Sequence, residues 1–220
     1  MRQHAARPFT LIELIVVMGV MILLAAISIP AYSSLFSGRR TTLAANQVNA
    51  AVMDARAHAV SAKVYTALIF LEDTDGCYRR FRMAELYHNS DSDLSPYKWR
   101  RWAPGSTFVS LPENTLIPDG KGNLDTVGST DSGNESQSGN GSELPTVGLE
   151  SDSTNGISAG NAPAIIFKPN GQLAGTGNRN VVVRFAEANR YAADKSGTPK
   201  LPLNINWLTC KTKFLDPVSN

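Results

Sequence analysis

An apolar run from Phe9 to Tyr32, FTLIELIVVMGVMILLAAISIPAY, constrains this chain more than any other stretch. No charged residue stands between Leu14 and Phe36. As a helix those positions would extend roughly 35 Å, against a hydrocarbon core of about 30 Å. In front lies a short basic leader, Met1–Pro8, with Arg2 and Arg7. Positive charge before an apolar span predicts an amino terminus held in the cytoplasm. Glu13 interrupts the run near its start. A carboxylate inside an inserting segment costs up to about 3 kcal/mol at the bilayer centre. A plain membrane anchor and a cleaved secretory signal peptide both leave that cost unexplained.

The order Phe9-Thr10-Leu11-Ile12-Glu13-Leu14 behind a basic leader resembles the processing site of type IV prepilins and type II secretion pseudopilins. The resemblance implies cleavage by a prepilin peptidase between Pro8 and Phe9, and N-methylation of Phe9. It implies an assembly role for Glu13, whose carboxylate pairs with the terminal amine of a neighbouring subunit. It also implies a helix kink at Pro30. The physical chemistry is compatible. A free α-amine has a pKa near 7.7–8.0 and is largely cationic at neutral pH. In an apolar bundle such an amine and a carboxylate each need the other. The family carries Gly before the cut where this chain has Pro8. Proline lacks the N–H that would hold an extended substrate.

Charge says little about partners. Subtracting Arg2 and Arg7 from the 21 Lys+Arg leaves 19, equal to the 19 Asp+Glu. That balance gives no bulk attraction to nucleic acid or anionic lipid. The two cysteines, Cys77 and Cys210, are far apart in sequence, and a candidate disulfide and two buried thiols both remain open.

Beyond Pro30, Gly38-Arg39-Arg40 marks the end of the apolar half of the helix. Val48, Val52, Ala55 and Ala59 then recur at helical spacing, so one face of residues 37–62 can lie on a sheet. Strands are predicted at Val64–Leu71, Tyr78–Leu86, Trp99–Trp102, Thr107–Leu111, Ala164–Phe167, Val181–Phe185 and Ile205–Thr209. Residues 119–161 are dominated by Gly, Ser, Asn, Asp and Thr and read as a long mobile loop. Lys168-Pro169-Asn170-Gly171-Gln172 reads as a turn. The helix with Asp54-Ala55-Arg56-Ala57-His58, followed by strands and Ile165-Ile166-Phe167-Lys168-Pro169-Asn170-Gly171, is similar to the minor pseudopilin H group and related minor pilins.

Catalytic patterns are weak. His4, His58 and His88 make no pair at metal-ligand spacing, and no metal or other cofactor is expected. His58 stands one helical turn from Asp54, which reads as a solvated pair. Gly156-Ile157-Ser158-Ala159-Gly160 matches a nucleophile elbow, but a polar tract replaces the strand that must precede one. Lys98, Arg100 and Arg101 interleave with Tyr97, Trp99 and Trp102 and are candidate DNA contacts. The simpler reading buries the tryptophans and leaves the bases in solvent.

The resemblance therefore implies a non-enzymatic structural subunit, read as a minor one with a major one still open, of a type IV pilus or type II secretion pseudopilus. Its expected fold is α+β and pilin-like, a long membrane-spanning helix packed through its second half on an antiparallel sheet. The expected parts are leader 1–8, transmembrane and assembly half 9–36, amphipathic half 37–62, and exported β-rich domain 63–220. Expected partners are other pilin subunits, the prepilin peptidase, an inner-membrane assembly platform and the lipid bilayer. The expected location is the bacterial inner membrane, single-pass, and then a periplasmic or surface filament. The alternative is a membrane-tethered binding module, including a DNA-binding minor pilin. Pro8→Gly is expected to raise the cleaved fraction on co-expression with a prepilin peptidase, read from the mass of the intact chain. Equal cleavage of both forms would show that Pro8 does not hinder processing.

Overall fold

The computed structural model describes residues 10–73, 75–88, 97–118, 124–127, 142–151, 157, 159–176, 179–193, 201–206 and 208–214. Over 27–38, 125–127, 142–143, 190–191 and 193 it describes the backbone alone. The chain divides into two compact units, Met1–Arg39 and Arg40–Asn220. Helix α1, Leu11–Ala62, supplies the described part of the first unit and enters the second.

Two sheets make up most of the second unit. The strands of the first are β1 (Tyr65–Glu72), β2 (Tyr78–His88), β3 (Tyr97–Trp102), β4 (Val109–Ser110), β8 (Thr146–Leu149), β9 (Gly160–Phe167) and β10 (Leu173–Ala174). β1 pairs with β2, β2 with β3, β3 with β8, β8 with β9, and β9 back with β1. Five strands thus close into a barrel. Four of those pairings are antiparallel, and β3 with β8 is parallel. The second sheet holds β5 (Thr115–Leu116), β6 (Leu124–Val127), β7 (Ser142–Glu143), β11 (Asn180–Glu187), β12 (Leu201–Ile205) and β13 (Thr212–Phe214). A short helix α2, Ala188–Ala193, follows β11.

Period-two alternation explains why β1 is buried on both faces. Ala67, Ile69 and Leu71 belong to one apolar cluster with Ala84, Leu86, Val147, Ala164 and Ile166 of the other barrel strands. A five-stranded barrel is narrow, and alanines share its interior with larger side chains: Ala67 sits opposite Ala84 on one side and Ile166 on the other. Leu68 and Phe70 join a second cluster with Phe81, Ile165, Phe167 and the apolar stripe of α1, Ala44, Ala45, Val48, Val52, Ala55 and Ala59. Those stripe positions recur every three or four residues, as one helix face requires. Their short side chains let the helix lie close to the strands. Val181, Val183 and Phe185 of β11 and Leu203 and Ile205 of β12 complete the same cluster.

This architecture corrects the expected α+β, pilin-like fold, a membrane-spanning helix on one antiparallel sheet. The strands divide between a closed barrel and a second sheet, because β1 and β9 pair and close the ring. Among the described residues no helix is long and apolar enough to cross a membrane. The expected single-pass placement in an inner membrane is corrected with it.

The polar tract 119–161 also differs from its reading as a loop throughout. Its described residues include β6, β7 and β8, and Leu124, Leu144, Val147 and Leu149 are buried. Leu124 lies in β6 and Val147 and Leu149 in β8, each strand paired with a longer one, β11 and β9, and Leu144 lies between β7 and β8. The strand predicted at Ile205–Thr209 ends at Ile205. There Asn206 Oδ1 accepts hydrogen bonds from the N–H groups of Leu208 and Thr209 and starts a turn.

The Lys168–Gln172 turn locks the helix against the barrel. Gly171 has φ of +83°, and a Cβ there would stand 3.0 Å from Val60 Cγ2 and 3.2 Å from Arg56 Nε. Gly171→Ala is expected to lower stability by about 1–3 kcal/mol through left-handed strain and this close approach. A urea unfolding curve checks it, and an unchanged midpoint would mean that the turn does not press on the helix.

Candidate functional site

Thr10 caps α1. The Glu13 N–H donates to Thr10 Oγ1 at 3.4 Å, and the N–H groups of Glu13 and Leu14 approach the Thr10 carbonyl oxygen at 3.1 and 3.3 Å. Thr-x-x-Glu is the spacing of a capping box, and an acid in the first turn is favoured by the helix dipole. The hydrogen bonds are made by the Glu13 backbone N–H, and its carboxylate stands in the first turn.

The residues around Glu13 are exposed apolar side chains. Leu11 is 77%, Ile12 71%, Ile22 70% and Leu23 66% exposed, and Leu14–Met18 and Val20–Leu24 contain further large exposed apolar residues. Successive helical positions are about 100° apart, so such residues cover every side of the helix. Pro8 and Phe9 lie outside the described residues, so the cleavage and methylation sites do too. Pro30 lies within the uninterrupted span of α1.

A second constellation surrounds Glu85 in the second unit. The Glu85 side chain is 3% exposed. Arg101 donates from Nε to Glu85 Oε2 at 2.8 Å and from its terminal nitrogen to Oε1 at 3.2 Å. His58 Nε2 of α1 lies 3.2 Å from Oε1, and an Arg100 terminal nitrogen lies 3.9 Å from Oε2. Hydrogen bonds from Arg101 hold the Glu85 carboxyl below the usual carboxylate range against the opposing effect of burial, and His58 adds to the lowering. His58 therefore meets Glu85 across the helix–strand contact, in place of the expected pairing with Asp54. Arg101 is committed to a carboxylate, and Arg100 lies over the Tyr87 ring, 5.2 Å from its centroid. Lys98 is exposed.

A β-bulge assembles this cluster. The register pairs Ala84 with Trp102, Glu85 with Arg101 and Leu86 with Trp99, which leaves Arg100 as the extra residue. Without it, Trp99 and Trp102 would face opposite sides of the strand. With it, both pack against the barrel cluster as half-buried residues. Trp102 meets Trp99 and Phe108 edge to face, and the Arg82 guanidinium lies 4.7 Å from the Trp102 centroid and 4.6 Å from that of Phe108.

A cleft of about 580 Å3 runs between α1 and β2, with Leu68, Phe81, Met83 and Val109 among its apolar lining and Asp54 and His58 on the helix. Among the described residues no group of three His, Cys, Asp or Glu is placed to hold a metal ion. Gly156 and Ser158 of the elbow-like pattern lie outside the described residues. Cys77 and Cys210 are buried thiols in different apolar clusters. Cys210 Sγ donates to the Gly171 carbonyl at 3.2 Å, and burial pushes its pKa up.

No protein-family profile matches the chain. No curated protein matches it. Among solved structures it is similar to the minor pseudopilin EpsH from the type 2 secretion system of Vibrio cholerae, with 10% identity and a TM-score of 0.40. That match covers 80% of this chain and 96% of the other.

Because the folded-state pKa of Glu85 lies below its unfolded value, the ionised group contributes stability at neutral pH that is lost as pH falls through the folded value. Glu85→Gln is expected to lower the thermal midpoint by a few degrees at pH 7 and by much less near pH 3. Equal losses at both pH values would show that the charge of Glu85 is not what stabilises the contact.

Proposed function

We propose that this chain is a non-enzymatic structural subunit of a pilus or pseudopilus-type filament, assembled through the amino-terminal part of α1. The observation that carries the reading is the stretch 11–26, apolar and exposed on every side with one carboxylate at Glu13. A helix of that kind is stable only when neighbours surround it. Packing among the same helices of other subunits supplies such neighbours. Gly19 has no atom within 4 Å of a Cβ built on it, so a second helix can approach closely there.

Glu13 sets the register in this reading. Cleavage between Pro8 and Phe9 by a prepilin peptidase would create an amine, methylated on Phe9, that is cationic at neutral pH. Glu13 of a neighbouring copy would pair with it. An uncompensated charge inside an apolar bundle costs several kcal/mol, so only registers that bring the two together are favoured. Its partners are therefore other pilin or pseudopilin subunits, the peptidase and an assembly platform.

The capping geometry selects the test. Gln serves the third helical position of a capping box as Glu does, but carries no charge. Glu13→Gln should keep the helix start and the fold of the second unit, yet leave the protein in cells and out of sheared filaments. Glu13→Leu should behave the same way. Incorporation of Glu13→Gln at the wild-type level, in cells lacking the native copy, would sink the charge pairing. Absence of the wild-type chain from sheared filaments would sink the filament role.

A further inference from the structure

The cleft of about 580 Å3 between α1 and β2 has the size of a ligand site. On the helix it runs from Ala51 to Ser61, about 15 Å. Its floor is apolar, with Leu68 and Phe81 each 1% exposed. Among the described residues, three charged side chains line it: Asp54, His58 and Arg82. Two are committed elsewhere. His58 Nε2 lies against Glu85 Oε1. The Arg82 guanidinium lies over the Trp102 and Phe108 rings, and its Nε donates to Ser106 Oγ at 3.3 Å. The Asp54 carboxylate is exposed and has no partner among the described residues.

We propose that this cleft holds a short extended segment of a partner protein, one lysine among apolar residues, with the ammonium against Asp54. Acceptors select the class. Ser61 Oγ donates to the His58 carbonyl at 3.2 Å and Ser106 Oγ to the Met83 carbonyl at 3.0 Å. What each hydroxyl has left to offer is acceptor capacity. An ammonium and backbone N–H groups are donors, and a peptide brings both. A carboxylate or phosphate would face Asp54 with no uncommitted cation to meet it. A guanidinium or a quaternary ammonium gains most from an open aromatic face. The Trp102 and Phe108 rings already carry Arg82. A wholly apolar segment would desolvate Asp54 without pairing it. A free alkylamine would pair Asp54 but leave most of the cleft empty. Four extended residues span about 13 Å, close to the length of the cleft along the helix.

Methyl NMR on the full chain, labelled at methionine, tests the site. Met83 lines the cleft, whereas Met18 and Met21 stand exposed in the amino-terminal part of α1 and report adhesion there. The probe is the capped peptide acetyl-Ala-Leu-Lys-Leu-Ala-amide. It should move the Met83 methyl and saturate in about the millimolar range. Norleucine in place of its lysine should weaken binding roughly threefold or more. Asp54→Asn, at an exposed position that leaves the fold intact, should weaken the lysine peptide by the same factor and leave the norleucine peptide unchanged. Equal binding of the two peptides to the unaltered protein would overturn the pairing with Asp54. Saturation of the Met83 shift by n-butylamine at equal or lower concentration would overturn the peptide in favour of a small amine. Shifts confined to Met18 and Met21, or none at all, would overturn the site.

Discussion

Two-sided burial of β1 is the constraint on which the second unit depends. Its eight residues, YTALIFLE, feed two separate cores, one inside the barrel and one against α1. Each fully buried Leu, Ile or Phe contributes about 1.5–3 kcal/mol. Neither core can form without the other, because the same strand is the wall between them. A one-residue slip would exchange Phe70 for Ile69 and push a phenyl ring into the narrow barrel interior. Register, barrel width and helix placement are therefore one decision.

Polar contacts then fasten the helix to this wall at chosen points. His58 reaches Glu85 from the helix, and Arg101 reaches it from β3. The carboxylate is buried, so it tolerates neither the loss of its donors nor a shift in the bulge that delivers Arg101. On the other side Arg56 donates to the Thr209 carbonyl at 2.6 Å, and Thr212 Oγ1 donates to Asn49 Oδ1 at 2.8 Å. Apolar burial supplies the attraction between helix and strands, and these bonds fix its direction.

Local chemistry was legible in the sequence, and closure was not. The β-branched run at Val64–Leu71 announced β1, and Lys168-Pro169-Asn170-Gly171 announced its turn. The stripe Val48, Val52, Ala55 and Ala59 was visible as spacing alone. The barrel was not, because ring closure rests on the long-range pairing of β1 with β9, which leaves no periodic trace. Strands β6 to β8 were hidden inside a tract whose composition is that of a loop. The Glu85 cluster was hidden by the bulge, since ordinary alternation does not bring Arg101 opposite Glu85 and both tryptophans to one face. The membrane-spanning reading came from the apolar run by itself, and the barrel and second sheet could not be inferred from that run. Thr10 was legible as a helix cap from its place before the apolar run.

The bonds from Arg56 to Thr209 and from Asn49 to Thr212 span 153 and 163 positions of sequence. A chain leaving the ribosome presents the helix well before these partners. Until residues 203–214 emerge, the alanine and valine stripe of α1 lacks Leu203, Ile205 and Cys210. Long-range closure of this kind is slow, and nascent chains with exposed apolar faces are prone to misassociation. While the intervening residues are made, the protein therefore carries an unfinished sticky stripe. A translational pause before residues 203–214, or loss of those residues, would affect the helix at 44–59 as much as the strands around the break.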